Sequence, residues 1–508
     1  MLLFVAACPA TAPDVYRSWF TPTVVPNNFT GDVRFEAEIT GLSGSVSFNY
    51  NGVDRPMRDD GTGGDRLAGD AVWTCLFTAS EVLTRNTANR VHRPVLGTCR
   101  FSPTATLNVI AEVWSPPIGL VTPTRSGGEF QETDYVINYV ATRAQLTTFN
   151  AAFWANRFYQ THGDKYDFLS FVHIAGVRGN RYHSSVRNSV QGIGTAIFNN
   201  SAGFGSAGRL QGISVFPIPS FYDGGGPGFA HETGHQWINF LSGTPLAGGV
   251  PHWPKGNVAI NVMGFSLPGG VGGQFPYTFA SNGSGGYVVG TGIPANLTTF
   301  NPMELYLMGL AAPAEVPAYF VLNNQNQNIT SGQTLTATEI TPVTVNDVIA
   351  AKGPRAPNSV DSQKLFRCAT IILSEQLLDA YALSLYDFFT RRAEARQPLS
   401  YAEGLASGVS NPFYVATGGR AVMITKIADE RPLLVITRLE DGKFRLNFGA
   451  RMGVSYQAQR SLDLQAWANE GGVIKTPVVN PPVDPMRELM VEPTPGTTQT
   501  FYRLQALY

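Results

Sequence analysis

The chain has 508 residues, of which 43% are hydrophobic and 14% charged, and a formal net charge of −1. That length exceeds one ordinary core and predicts roughly two to four domains, while the composition excludes a disordered chain. The near-neutral balance carries no basic stripe, which argues against nucleic acid as a partner, and no internal apolar run is long enough to span a membrane. The 53 glycines and 34 prolines predict many turns, as in β-rich exported proteins.

Residues 1–12 open the apolar stretch "MLLFVAACPATAPD", which reads as the remnant of a signal peptide. "VAAC" before Pro9 also resembles a lipoprotein cleavage site, with Cys8 as the lipidated residue. The chain is therefore expected to be secreted or held at the cell surface. Residues 13–124 read as a β-sandwich. In "DVRFEAEIT", Val33, Phe35, Ala37 and Ile39 alternate on one face, the period of a half-buried strand. "GSVSFNYNG" and "TLNVIAEVW" continue the pattern. Between them, "MRDDGTGGDRLAGD" crowds Asp59, Asp60, Asp65 and Asp70 into a glycine-rich loop. Clustered carboxylates suit a hard cation such as Ca2+; the alternative is a solvated acidic turn. The spacing is not that of an EF-hand, and the loop resembles one found in immunoglobulin-like modules of secreted bacterial proteins. Cys75 and Cys99 share this region and are either a disulfide or two unrelated buried thiols.

From residue 125 to 430 the character becomes α/β. "TRAQLTTFNAAFWANRFYQTH" spaces Leu146, Phe149, Phe153 and Phe158 at helical intervals. "YDFLSFVHIAG", "GRLQGISVFPI" and "KLFRCATIILS" read as buried strands, and "EQLLDAYALSLYDFFTRRAEA" as a helix. Residues 431–508 return to short strands joined by turns. They resemble small C-terminal β-modules of planctomycete and verrucomicrobial secreted proteins.

Chemistry concentrates in "GPGFAHETGHQW", where His231, Glu232 and His235 follow the order H-E-x-x-H. A helix is expected from Pro227, suited to a first turn, to Gly243, suited to an end. On a helix, His231 and His235 lie one turn apart on one face. Both imidazoles then reach one zinc ion, while Glu232 points off the ligand axis as a general base. Gly234 is costly inside a helix, which suggests close approach of another backbone. A catalytic zinc takes three protein ligands. Among histidines the third can only be His252, in "GGVPHWPKGN". The rival is Glu304 in "NPMELYLMGL". Tyr306, close by, is either an oxyanion stabiliser or a buried structural tyrosine. Met263, in "NVMGF", looks loosely like a methionine turn beneath the site.

The ordered blocks "HETGHQW", "PHW", "VMGF", "NPMELYLMGL" and "TVNDVIAAKGPR" resemble a group of exported bacterial zinc metallopeptidase-like proteins. The likeness covers about residues 225–356. The resemblance implies a zincin fold and says little about substrate. The expectation is a multidomain α+β chain: a central zincin-like metallopeptidase domain flanked by N- and C-terminal β-sandwich domains. It would use Zn2+ and act as a monomer on protein or peptide substrates, by zinc-activated water with Glu232 as base. The competing function is a non-catalytic surface or adhesion protein on the same scaffold.

Overall fold

The computed structural model describes residues 12–507, apart from 27, 43, 84–91, 103, 116–117, 174–180, 218–221, 249–251, 265–276, 291–298, 400–410, 429–433 and 498. Of the leader expected at 1–12, residues 1–11, with Cys8, lie outside the described residues. No helix among those described is long and apolar enough to cross a membrane.

Near the N-terminus two antiparallel sheets face each other. One holds Asp14–Thr21, Asp32–Thr40 and Val72–Thr78; the other holds Val53–Pro56, Ser47–Tyr50, His92–Arg100 and Thr106–Trp114. Their inner faces meet where Phe35 stacks on Phe48, with ring centroids 3.9 Å apart. Cys75 and Cys99 are buried in this core as free thiols. Toward the C-terminus two three-stranded antiparallel sheets pack around Phe448, Met452 and Tyr456.

The middle of the chain is organised by one sheet. Its main strands are β1 (Val136–Val140), β2 (Phe168–His173), β3 (Tyr182–Ser185), β4 (Gly212–Phe216) and β5 (Leu365–Ser374). They lie in the order β3-β4-β2-β5-β1. β5 runs parallel to β1 and β2, β2 runs parallel to β4, and β3 is antiparallel to β4. β5 is buried along nearly its whole length, as a central strand covered on both faces must be. Alternation along it serves two cores. Ala369, Ile371 and Leu373 pack with Trp154 and Phe158 on one face, while Cys368 and Ile372 pack with Phe229, Met303 and Leu383 on the other. The second face carries α1 (Pro227–Gly234), α2 (Pro302–Met308) and α3 (Ala380–Arg392).

This corrects the expected fold class. Strand accounts for 36% of the described residues and helix for 15%, so the protein is a β-rich fold and not an α+β chain with a helix-containing zincin-like core. The physical cause is local. The periodic stretch after residue 142 breaks into two helices of 5 and 9 residues, because Thr142 and Asn150 each cap a new start. α1 is also short: it stops at Gly234 after 8 residues, well before Gly243. Asn239 beyond it takes a left-handed φ of 90°, which ends any continuation.

Candidate metal centre

α1 begins without a side-chain cap. Gly226 is extended and Pro227 takes the first turn, where its missing N–H costs nothing. The glycine run before it lets the chain enter close to α3: a Cβ on Gly224 would stand 2.8 Å from the Phe389 carbonyl oxygen. His235 falls just past the helix but keeps helical φ and ψ. The i, i+4 placement of His231 and His235 therefore survives the early stop.

His231, His235 and His252 come together. Each offers a ring nitrogen within 4.8 Å of the others, and the three ring centroids lie 4.5–5.0 Å apart. His231 donates Nδ1–H to the Val262 carbonyl at 2.8 Å, which fixes its tautomer and leaves Nε2 as a lone pair. That Nε2 stands 2.9 Å from Nε2 of His252. Two imidazole nitrogens converging on one point, with the tautomer set from behind, could hold a shared metal ion. Burial holds all three rings neutral: it pushes His231 down to about 3 and His235 to about 2, and lowers His252. Neutral imidazole is the form that ligates.

Glu232 is 2% exposed and lies beside the cluster. Burial pushes its carboxyl up to about 7, against the opposing effect of Arg181. Arg181 Nε lies 2.8 Å from Glu232 Oε1. Arg181 stands at the start of edge strand β3, and His183 fastens that strand: its Nε2 pairs with Gln236 Oε1 and its Nδ1 with Ser214 Oγ, both at 3.1 Å. Arg181, β3, the three histidines, Glu232, Ile238 and Phe240 line one open cleft of about 770 Å³.

Glu304 is not in the cluster. It is wholly buried at the start of α2. Oε2 accepts from Asn301 N at 2.8 Å and Oε1 from Trp253 Nε1 at 2.9 Å. It acts on the His252 loop through the neighbouring indole, so its reading as an alternative third ligand is corrected. Of the two readings of Tyr306, the structure places it as a buried tyrosine. It is 3% exposed, does not line the cleft, and accepts a hydrogen bond from Arg355 N at 3.3 Å. Gly234 is explained by side chains and not by a second backbone: a Cβ there would stand 2.8 Å from Met263 Sδ and 2.9 Å from the Phe300 ring.

In the acidic loop, carboxylate oxygens of Asp59, Asp65 and Asp70 lie within 4.8 Å of one another. Asp60 stands apart on Arg58 and Thr62. The same carboxylates already order the backbone, since Asp59 accepts from the amides of Gly69, Asp70 and Ala71, and Asp65 from Gly61.

Sequence reasoning missed Arg181, His183 and the Val262 carbonyl. Arg181 is separated from Glu232 by fifty-one positions that no local pattern bridges. Val262 acts through its backbone, which no side-chain motif records. The chain matches no known family model and no curated protein.

Proposed function

We propose that the chain is an exported zinc-dependent endopeptidase. One observation carries the reading: three convergent, neutral histidine nitrogens and a carboxylate beside them open onto the same cleft. His231, His235 and His252 would hold the ion. When bound, zinc supplies Lewis acidity and makes water a nucleophile at neutral pH. Glu232 takes the proton from the attacking water and returns it to the leaving amine. The Val262 carbonyl keeps His231 in the ligating tautomer. β3 walls the cleft on one side, and a polypeptide would lie along it.

The test pairs metal content with hydrolysis. The purified chain should carry about one zinc, the number a mononuclear site implies. Glu232→Gln should keep it, because Glu232 holds a proton and not the metal. Hydrolysis of casein by that variant should fall by at least ~10³-fold, toward the upper end of general-base effects. Full activity in Glu232→Gln would assign the hydrolysis elsewhere. Zinc-loaded wild type that leaves casein intact would favour the non-catalytic surface protein.

A further inference from the structure

We propose that this cleft selects its substrate by a large apolar side chain beside the cut bond, received on the surface that Phe198, Ile238 and Phe240 present. The proposal rests on the peptidase reading above and names what that site prefers. Two segments bring these residues to the histidines. Ile238 and Phe240 follow His235 directly, just past the end of α1, and both line the cleft. Phe198 comes from a hairpin in which Arg187–Asn188 pairs antiparallel with Phe198–Asn199. That hairpin is fastened to the histidine-bearing segment at two points. Gln236, the residue after His235, donates from Nε2 to the Arg187 carbonyl at 2.8 Å. Gly194, in the hairpin loop, lies so close that a Cβ would stand 2.0 Å from the Phe240 carbonyl oxygen, and its φ of 90° is left-handed. Only glycine combines that approach with that backbone. Asn188 ties the loop from inside, donating to the Val190 and Ala196 carbonyls at 2.9 and 2.8 Å. The wall is thus set before substrate arrives, which lowers the ordering cost of binding.

The chemistry of the lining decides the occupant. Phe198 and Phe240 are half-buried. Among the described residues, neither ring packs into one of the hydrophobic cores, so their apolar surface is left to the cleft. Tyr182, on β3, adds a third exposed aromatic to the same lining. Charge is absent from the rest of it. Among the described residues lining the cleft, the one carboxylate is Glu232 and the one guanidinium or ammonium is Arg181, and these two already face each other at 2.8 Å. A lysine or glutamate side chain entering here would lose water without gaining a counter-ion. A phenylalanine or leucine side chain gains by leaving water.

The experiment digests casein with the zinc-loaded full chain and reads the cut sites by mass spectrometry. A large apolar residue should stand at one fixed position beside the cut bond. Fluorogenic peptides built on one such site, with Phe, Ala, Lys or Glu at that position, then give kcat/KM. Phe should exceed Ala by about 10–200-fold, the range over which an apolar pocket discriminates, and Lys and Glu should be cut no faster than Ala. Phe198→Ala and Phe240→Ala should keep their zinc, and each should lower the Phe-to-Ala ratio about tenfold. A merely structural role would depress both peptides alike and leave that ratio where it was. Phe198→Asp supplies the missing counter-ion and should raise the Lys peptide relative to the Phe peptide. Cut sites with no apolar preference overturn the proposal, and so does a Phe-to-Ala ratio that survives in both alanine variants. If zinc-loaded wild type cuts nothing, the peptidase reading itself fails and the preference falls with it. Active wild type with indiscriminate cut sites removes only the preference.

Discussion

Glu304 is wholly buried and yet receives N–H groups from three separate segments: Asn301, Trp253 and Met263. Burial pushes its carboxyl up to about 8 against those donors. Its value to the site is spatial. Trp253 follows His252 and Met263 follows Val262, so one carboxylate steadies the neighbours of a candidate ligand and of the carbonyl that orients His231. Glu304→Gln should therefore retain zinc, with metal affinity or activity reduced about 10–100-fold, as for partners standing behind a ligand. His252→Ala should lose zinc far more completely. Competition with a chelator measures both, and equal loss in the two variants would remove the distinction. The residue types of the cluster were legible because H-E-x-x-H states a spacing that any helical turn converts into one face. The choice between His252 and Glu304 was not, since both lie downstream in segments whose return path depends on tertiary packing.

At the scale of elements, α2 explains what the "NPMELYLMGL" and "GPR" blocks do. Asn301 caps the helix start and Glu304 closes the capping box. At the other end three cations take the backbone carbonyls: Arg355 Nε on Leu307, Lys364 Nζ on Gly309 and Arg420 Nη1 on Leu310, each at 2.8 Å. Positive charge at a helix C-terminus is favourable, and burial of Arg355 makes it exacting. Arg355→Met should destabilise the central body by about 2–4 kcal/mol, because buried carbonyls lose their donor. Urea unfolding followed by tryptophan fluorescence would show the shift, and an unchanged midpoint would mean that water replaces the guanidinium. The sequence displayed these blocks without their purpose; their partners lie some fifty to one hundred residues away. Strand assignments for β2, β4 and β5 were readable from continuous apolar runs. Helix lengths were not, since caps and glycine ended helices that apolar periodicity would have continued.

For the whole molecule, two histidines outside the cluster, the buried His173 and the half-buried His183, set an acid limit. His173 and His183 are each driven down to about 4 by burial. The unfolded chain takes up protons near pH 6.5, whereas the folded chain resists until about pH 4. Their stabilising effect is therefore complete above pH 6.5 and lost as pH falls toward 4, by about 3 kcal/mol for each group. The metal-free thermal midpoint should decline across that window. His173→Gln should flatten its share of the slope, which thermal scans at half-unit pH steps would detect. A slope identical to wild type would show that His173 is solvated in the folded chain.

The position of β5 bears on how the protein is made. β1 and the β2–β4–β3 group are synthesised early, yet in the sheet each pairs with β5, which lies between them. Asn138 on β1 bonds the Ile372 carbonyl on β5 across 234 residues. At roughly 5–20 residues per second, the first edges of this sheet wait about 10–50 s for their central strand to leave the ribosome. During that interval two halves of a sheet hold open a slot lined with unmet amides and carbonyls. The sheet therefore stays incomplete until the last third of the chain is made. The same delay would oblige the cell to shield the slot, and nascent chains truncated before Leu365 should be bound by chaperones far more than chains extended past Ser374.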